Sequence, residues 1–250
     1  QFLESHRIRP PFVLRFPSMI GARMRRLSRA FSAAMKDNEL CSGYTGVLPV
    51  KVNQRRAVIE AVLSEPDVDY GLEAGSKPEL LLAMSRPPRE TAPLLINGFK
   101  DREFMRMAFH AAEIGHRVII ILESIREVVR YVDTMAAQAW KSVPEVGVRA
   151  KLYTRGSGRW QSSGGETSKF GLTTSEILEV VRRLEGADLS DKLVLLHFHI
   201  GSQITRIKQI KQAVREGARL YAELQRAHAP NMQFLDMGGG MGVDYDGSRT

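Results

Sequence analysis

From residue 46 onward, short apolar runs alternate with stretches whose apolar positions recur every three or four residues. The runs fall at 46–52, 69–73, 93–96, 117–122, 146–152, 193–199 and 233–237, and they predict strands. Amphipathic patterns near 54–64, 77–84, 101–114, 124–139, 173–184 and 206–228 predict helices between them. Regular alternation of this kind, with buried strands, predicts a parallel sheet. Seven strands with no internal boundary fit a (β/α)8 TIM-type barrel or a doubly wound open sheet. Upstream, Ile20, Met24, Leu27 and Phe31 mark one apolar helical stripe, with arginines largely on the other face. Residues 1–40 therefore read as a basic helical segment leading into a barrel domain over 41–250. One long irregular stretch, TRGSGRWQSSGGETSKFG at 154–171, is rich in Gly, Ser and charge. A loop of that length in a compact domain is usually functional or mobile.

Composition changes this picture little. At 43% hydrophobic and 26% charged residues, the chain reads as an ordinary soluble globular protein. No apolar run approaches the roughly 20 residues of a membrane span, so no membrane partner is expected. The formal charge of +8 is concentrated early, in Arg7, Arg9, Arg15, Arg23, Arg25, Arg26, Arg29 and Lys36. Such a segment could bind nucleic acid, but the amphipathic stripe favours a solvated helix face. Zinc-finger spacing and an aromatic-basic ribonucleoprotein signature are both missing, so no nucleic-acid partner is expected. Cys41 is the single cysteine, which excludes an internal disulfide framework. With no signal-peptide pattern, a reducing cytoplasm is the expected location.

Candidate chemistry gathers at the ends of the strands. GVLPVKVNQ, at 46–54, carries Lys51 inside an otherwise apolar run. Burying an ammonium is costly, so Lys51 either snorkels to solvent or serves as a nucleophile towards carbonyl compounds. Glu73 ends the second run, Arg149 lies near the end of the fifth, His199 ends the sixth, and Gly238, Gly239 and Gly240 follow the seventh. In a barrel those ends converge on the face where active sites are built. HFHIGSQ, at 197–203, holds two histidines expected to point to opposite sides, with His199 turned to the interior. Gly201 and Ser202 follow it, offering amides and a hydroxyl to an anion. DMGGGMGVDYDG, at 236–247, is a glycine-rich turn after a strand, where backbone N–H groups can approach a phosphate closely. It lacks the nucleotide P-loop pattern, and its late position argues against a dinucleotide fold.

Seven collinear segments resemble the biosynthetic arginine decarboxylases of plants and bacteria. They are LRFP at 14–17, GVLPVKVNQ at 46–54, YGLEAGSKPEL at 70–80, NGFKDREF at 97–104, GSGRWQSSGGETSKFGL at 156–172, LLHFHIGSQI at 195–204 and LDMGGGMGVDYDGS at 235–248. That family belongs to the pyridoxal-phosphate decarboxylases with an alanine-racemase-like barrel. The resemblance implies decarboxylation of L-arginine to agmatine, the first step of a route to putrescine and spermidine. It also implies a homo-oligomer, dimer or tetramer, and Mg2+ as a further family expectation with no ligands assigned.

The resemblance assigns roles residue by residue. Lys51 matches the lysine that forms a Schiff base with pyridoxal phosphate. His199 matches the histidine stacked on its ring, and Ser202 with Gly238, Gly239 and Gly240 match its phosphate site. Glu73 and Glu79 match acidic positions near the cofactor, and Arg149 a barrel arginine beside it. Glu73 stands where relatives outside this branch have aspartate, and Leu48 replaces an expected aromatic residue. The family's Glu-x-Gly-Arg segment on an eighth strand has no counterpart here, nor has its C-terminal β-domain. The expectation is therefore an N-terminal fragment with seven βα strands. Decarboxylases of the same fold acting on diaminopimelate or ornithine, and a catalytically silent regulatory relative, are the alternatives.

Overall fold

A computed structural model describes residues 1–86, 91–153, 170–245 and 247. The 154–171 loop singled out above lies almost wholly outside the described residues. The chain divides into two compact units, Gln1–Gly71 and Leu72–Thr250.

In the first unit, helix α1 (Phe2–Ser5) precedes the long α2 (Ser18–Asp37), strand β1 (Gly46–Pro49) and α3 (Arg56–Leu63). The stripe expected on α2 packs as its spacing predicts: Ile20 and Met24 join Val62, Val68 and Tyr70 in one apolar cluster. Phe31 stacks on Tyr44 at 4.5 Å, while Leu27 stays partly exposed. Arg25 is the exception among the arginines, since it reaches back to Glu65 at 2.5 Å. The rest of the basic face is solvated. Gly46 is needed for this packing, because a Cβ there would lie 2.0 Å from the Tyr70 ring.

Strand β2 (Tyr70–Ala74) runs from the first unit into the second. It is followed by α4 (Lys77–Met84), β3 (Leu94–Ile96), α5 (Arg102–Glu113), β4 (Val118–Leu122) and α6 (Ile125–Ala136). Then come β5 (Glu145–Arg149), α7 (Thr174–Gly186), β6 (Leu193–His197), α8 (Ile207–Ala227) and β7 (Phe234–Asp236). The seven strands form one sheet in sequential order, and the pairs from β2 to β7 are parallel. This is the strand order of a TIM-type barrel and not that of a doubly wound sheet, whose order reverses at a switch point. All five residues of β4 are buried, as expected for a parallel strand covered on both faces.

Local signals set the helix starts. Asp101 caps α5 by accepting the Phe104 amide at 2.8 Å. Thr173 and Glu176 form a reciprocal capping box at the start of α7. Three strand ends fall two or more residues short of the sequence pattern, the fifth strand among them, which stops at Arg149, three residues before its expected end. The first strand stops at Pro49, and Val50–Val52 form a 3₁₀ turn. The sixth stops at His197, two residues before the expected end. No described helix is long and apolar enough to cross a membrane.

Candidate active site

Nearly every strand of the second unit delivers a polar residue at or just past its carboxyl end. Glu73 is the penultimate residue of β2, Asn97 follows β3, Glu123 follows β4, and Arg149, His197 and Asp236 end β5, β6 and β7. The register sets Ile121 beside Gly147, Arg149 beside His197, and His197 beside Asp236. Register partners in a parallel pair share a face, as do residues two apart along a strand. Arg149, His197 and Asp236 therefore line one face, and Glu73 joins them through Leu95 and Ile119.

These groups are bonded to one another. Asn97 Nδ2 donates to the buried Glu73 at 3.1 Å. Arg149 Nη1 donates to Glu123 Oε2 at 3.1 Å, and its guanidinium lies 5.2 Å from the Phe170 ring centre. The Gly98 amide donates to Glu123 Oε1 at 3.1 Å. Behind them sits Lys100, fully buried, with Nζ bonded to the Gly98 carbonyl and 3.3 Å from Glu127 Oε2. Burial holds the Lys100 amine below its ordinary range, against the opposing pull of Glu127 and Glu123.

Two loops form the other half of the site. The segment after β6 and the glycine turn after β7 are joined by backbone bonds, Ile204 N–H to Gly240 O at 2.8 Å and Gly242 N–H to Ile204 O at 2.9 Å. The Gln203 side chain adds two bonds to the Val243 backbone. The approach is close enough to require glycine: a Cβ on Gly240 (φ +91°) would lie 1.8 Å from the Gly201 carbonyl oxygen. Gly238 (φ +62°) meets Phe198 O and the His199 ring in the same way. A Cβ on Gly239 would meet none of the described residues within 4 Å, so its backbone borders open space among them. The amides of Ser202, Gly239 and Gly240 have no partner among the described residues. Neighbouring N–H groups left unengaged in this way are suited to an anion such as a phosphate. Asp236 braces the turn, accepting the Gly238 amide through Oδ1 at 2.8 Å and facing His197 Nδ1 through Oδ2 at 2.7 Å. Burial works to raise the Asp236 carboxyl, but His197 and the Gly238 amide outweigh it and hold it below the usual carboxylate range.

The predicted site residues are placed as follows. His199, Ser202 and the three glycines come together in the paired loops, and the Gly201 amide donates to His199 Nδ1 at 3.0 Å. Glu73 and Arg149 lie on the common sheet face. Glu79, in the first turn of α4, accepts the Gly75 amide at 2.7 Å and so shapes the β2–α4 turn.

Two expectations need correction. Lys51 is not within a buried strand: Pro49 ends the strand, and Lys51 is exposed on the 3₁₀ turn that follows, in the first unit. Nor do His197 and His199 alternate across one strand, because residues two apart on a strand share a face. His197 is buried on the sheet face against Asp236, and His199 differs from it only because the strand has already ended. Asn97, Lys100, Glu123, Glu127 and Asp236 went unread in the sequence. A polar residue just past an apolar run was the available signal for Asn97 and Glu123, whereas Asp236 stands inside its run.

Fold and site together define an α/β-barrel protein with a glycine-rich turn among the polar carboxyl ends of its strands. The chain belongs to the pyridoxal-dependent decarboxylases: the model of their pyridoxal binding domain matches residues 22–250. The biosynthetic arginine decarboxylase of Deinococcus radiodurans is 47% identical over 96% of this chain and 36% of its own length. That of Thermosynechococcus vestitus is 47% identical over 100% of this chain and 39% of its own. The crystal structure of the biosynthetic arginine decarboxylase SpeA from Campylobacter jejuni superposes with a TM-score of 0.84, at 35% identity, over 98% of this chain and 40% of that one. Diaminopimelate decarboxylase from Helicobacter pylori, at 19% identity and a TM-score of 0.75, shares the fold. The chain thus spans between 36% and 39% of the length of these two curated relatives. The family's cofactor is pyridoxal phosphate, and the glycine turn with its open Gly239 and available amides fits the phosphate. Among the described residues no cluster of three or more His, Cys, Asp or Glu could hold a metal ion.

Proposed function

We propose that the protein carrying this chain decarboxylates L-arginine to agmatine and carbon dioxide, supplying polyamine synthesis. The observation that carries this reading is 47% identity, across essentially the whole chain, to proteins named biosynthetic arginine decarboxylase. Bound pyridoxal phosphate supplies an electron sink for the pair left on Cα when carbon dioxide departs. Lys51 holds the cofactor covalently, and its exposed position after β1 leaves it accessible to an incoming amine. Ser202, Gly239 and Gly240 bind the phosphate through the amides of the paired loops, and Gly238, its amide held by Asp236, shapes the cofactor turn beside them. His199, packed against Gly238 and Gly240, supports the ring from one side. Arg149 and Glu73 present charge from the sheet face, each fixed by a bonded neighbour. Glu79 acts beside them through the Gly75 amide. Action in the cytoplasm as a homo-oligomer belongs to the same proposal, supported by the single cysteine and the family resemblance.

The test is release of carbon dioxide by the protein expressed from its natural gene, with arginine, ornithine, lysine and diaminopimelate offered separately. Arginine should give carbon dioxide and agmatine in equal amounts, and borohydride trapping with peptide mapping should place the cofactor on Lys51. Release from ornithine or diaminopimelate instead would replace arginine as the substrate. A protein that binds no cofactor would be the silent relative.

A further inference from the structure

Lys100 is a cation buried where cations rarely sit. A charge so placed is costly unless its bonds are satisfied, and those bonds all lead towards the site. Its Nζ bonds the Gly98 carbonyl and lies 3.3 Å from Glu127 Oε2 and 4.0 Å from Glu123 Oε1. Glu127, itself buried, accepts the Lys100 amide at 3.0 Å and the Glu123 amide at 2.8 Å, one with each oxygen. Gly98 is thus held at both ends: Lys100 takes its carbonyl, while its N–H is shared between Asn97 Oδ1 at 3.0 Å and Glu123 Oε1 at 3.1 Å. Its φ of +94° and the 2.7 Å approach a Cβ would make to the Gly75 carbonyl leave that peptide little freedom. Glu123 spends its other oxygen on Arg149. Asn97 spends its amide nitrogen on Glu73.

We infer that Lys100 is a positioning residue for the cofactor site: through Gly98 and Glu127 it fixes Glu123 and Asn97, and these hold Arg149 and Glu73 on the cofactor face. The inference rests on the pyridoxal-phosphate assignment and on Arg149 serving that site, and does not depend on arginine being the substrate. Removing Lys100 alone would leave the buried Glu127 carboxylate without its cation, so Lys100→Met by itself risks the fold. The pair Lys100→Met with Glu127→Gln removes cation and carboxylate together and keeps the buried charge balanced. The experiment measures pyridoxal-phosphate affinity of the cofactor-stripped natural protein by the rise of its visible circular dichroism band. Three variants are compared with it: K100M/E127Q, Arg149→Met and the triple combination, each confirmed folded by far-UV dichroism.

The double variant and Arg149→Met should each weaken affinity about tenfold, a size in keeping with coupled buried neighbours. The triple variant should be no weaker than about threefold below Arg149→Met alone, because the larger part of both losses passes through Arg149 and only the part carried by Asn97 and Glu73 adds to it. Fully additive losses, or unchanged affinity in K100M/E127Q, would overturn the inference. So would unchanged affinity in Arg149→Met, with the cofactor assignment standing on the wild-type band. Failure of K100M/E127Q to fold would move the cycle to Lys100→Arg with Arg149→Met, which keeps the buried charge and in which additivity would equally overturn it. Absence of arginine turnover in the wild-type protein, with its dichroism titration normal, would count against the proposed substrate and leave the role of Lys100 untouched.

Discussion

One methyl group separates Gly240 from alanine, and the paired loops have no room for it. A Cβ would sit 1.8 Å from the Gly201 oxygen, at a φ of +91° that L side chains avoid, so the loops would have to part. Gly240→Ala should lower stability by about 2 kcal/mol or more and weaken pyridoxal-phosphate binding. Gly239→Ala meets none of the described residues within 4 Å and should keep the melting temperature while weakening binding, since its Cβ would enter the open space beside the amides. Equal melting temperatures for the two variants would refute the close approach. Asp236 sets a second expectation. Its folded carboxyl is held below the ordinary value of about 3.9 by His197 and the Gly238 amide, despite burial. The folded state therefore binds fewer protons than the unfolded chain in that window, and stability falls as pH falls through it. The melting-temperature advantage of wild type over Asp236→Asn should be constant above about pH 5 and shrink progressively below about pH 4. An advantage undiminished in strong acid would remove the assignment. Much at this scale was readable before the fold was known. His199, Arg149 and the triple glycine stood out because they end apolar runs, whereas Lys100 did not. It lies four residues beyond its strand, and its meaning comes from Glu123 and Glu127, which only the βα geometry brings near.

Elements were the most legible level, since strand and helix existence follows from period alone and only the ends needed other physics. Pro49 removes an amide donor and fixes its own φ at −66°, so the first strand stops there despite the apolar residues that follow. That single boundary converts Lys51 from a buried strand residue into an exposed one. Likewise the sixth strand ends at His197, whose Asp236 partner ends the neighbouring strand in register. No periodicity announces an end fixed by a side-chain pair across strands. The start of α7, by contrast, is written in four residues, Thr173 to Glu176. Thr173 Oγ1 accepts the Glu176 amide at 3.3 Å, and Glu176 returns to the Thr173 amide at 2.8 Å. Thr173→Ala should therefore cost about 1 kcal/mol, and Thr173→Ser should recover most of it. Chemical denaturation would show this as a lower midpoint with an unchanged slope. A Thr173→Ala variant as stable as wild type would mean that tertiary packing alone fixes the start of α7.

Across the whole molecule, stability is distributed unevenly, and the site sits on the weaker part of it. Strands β4, β5 and β6 lie inside the sheet with paired neighbours on both sides, and every residue of β4 and β6 is buried. Residues 4–17, by contrast, are exposed throughout. The paired loops after β6 and β7 are held by a few backbone bonds and one glutamine side chain, with most of their residues partly or fully exposed. Local opening should follow this order, because amides exchange through whichever opening breaks the fewest buried contacts. In the cofactor-free natural protein, hydrogen exchange should be slowest over 118–122 and 146–148, fast over 201–205 and 238–243, and fastest over 4–17. A cofactor that binds only the folded loops adds its binding free energy to their closing. Pyridoxal phosphate should therefore slow exchange at 201–205 and 238–243 strongly while leaving 4–17 unchanged. Slowing confined to the strands, with the loops as fast as before, would place the phosphate elsewhere. That result would leave the glycine turn as a purely structural joint between β7 and the chain beyond it.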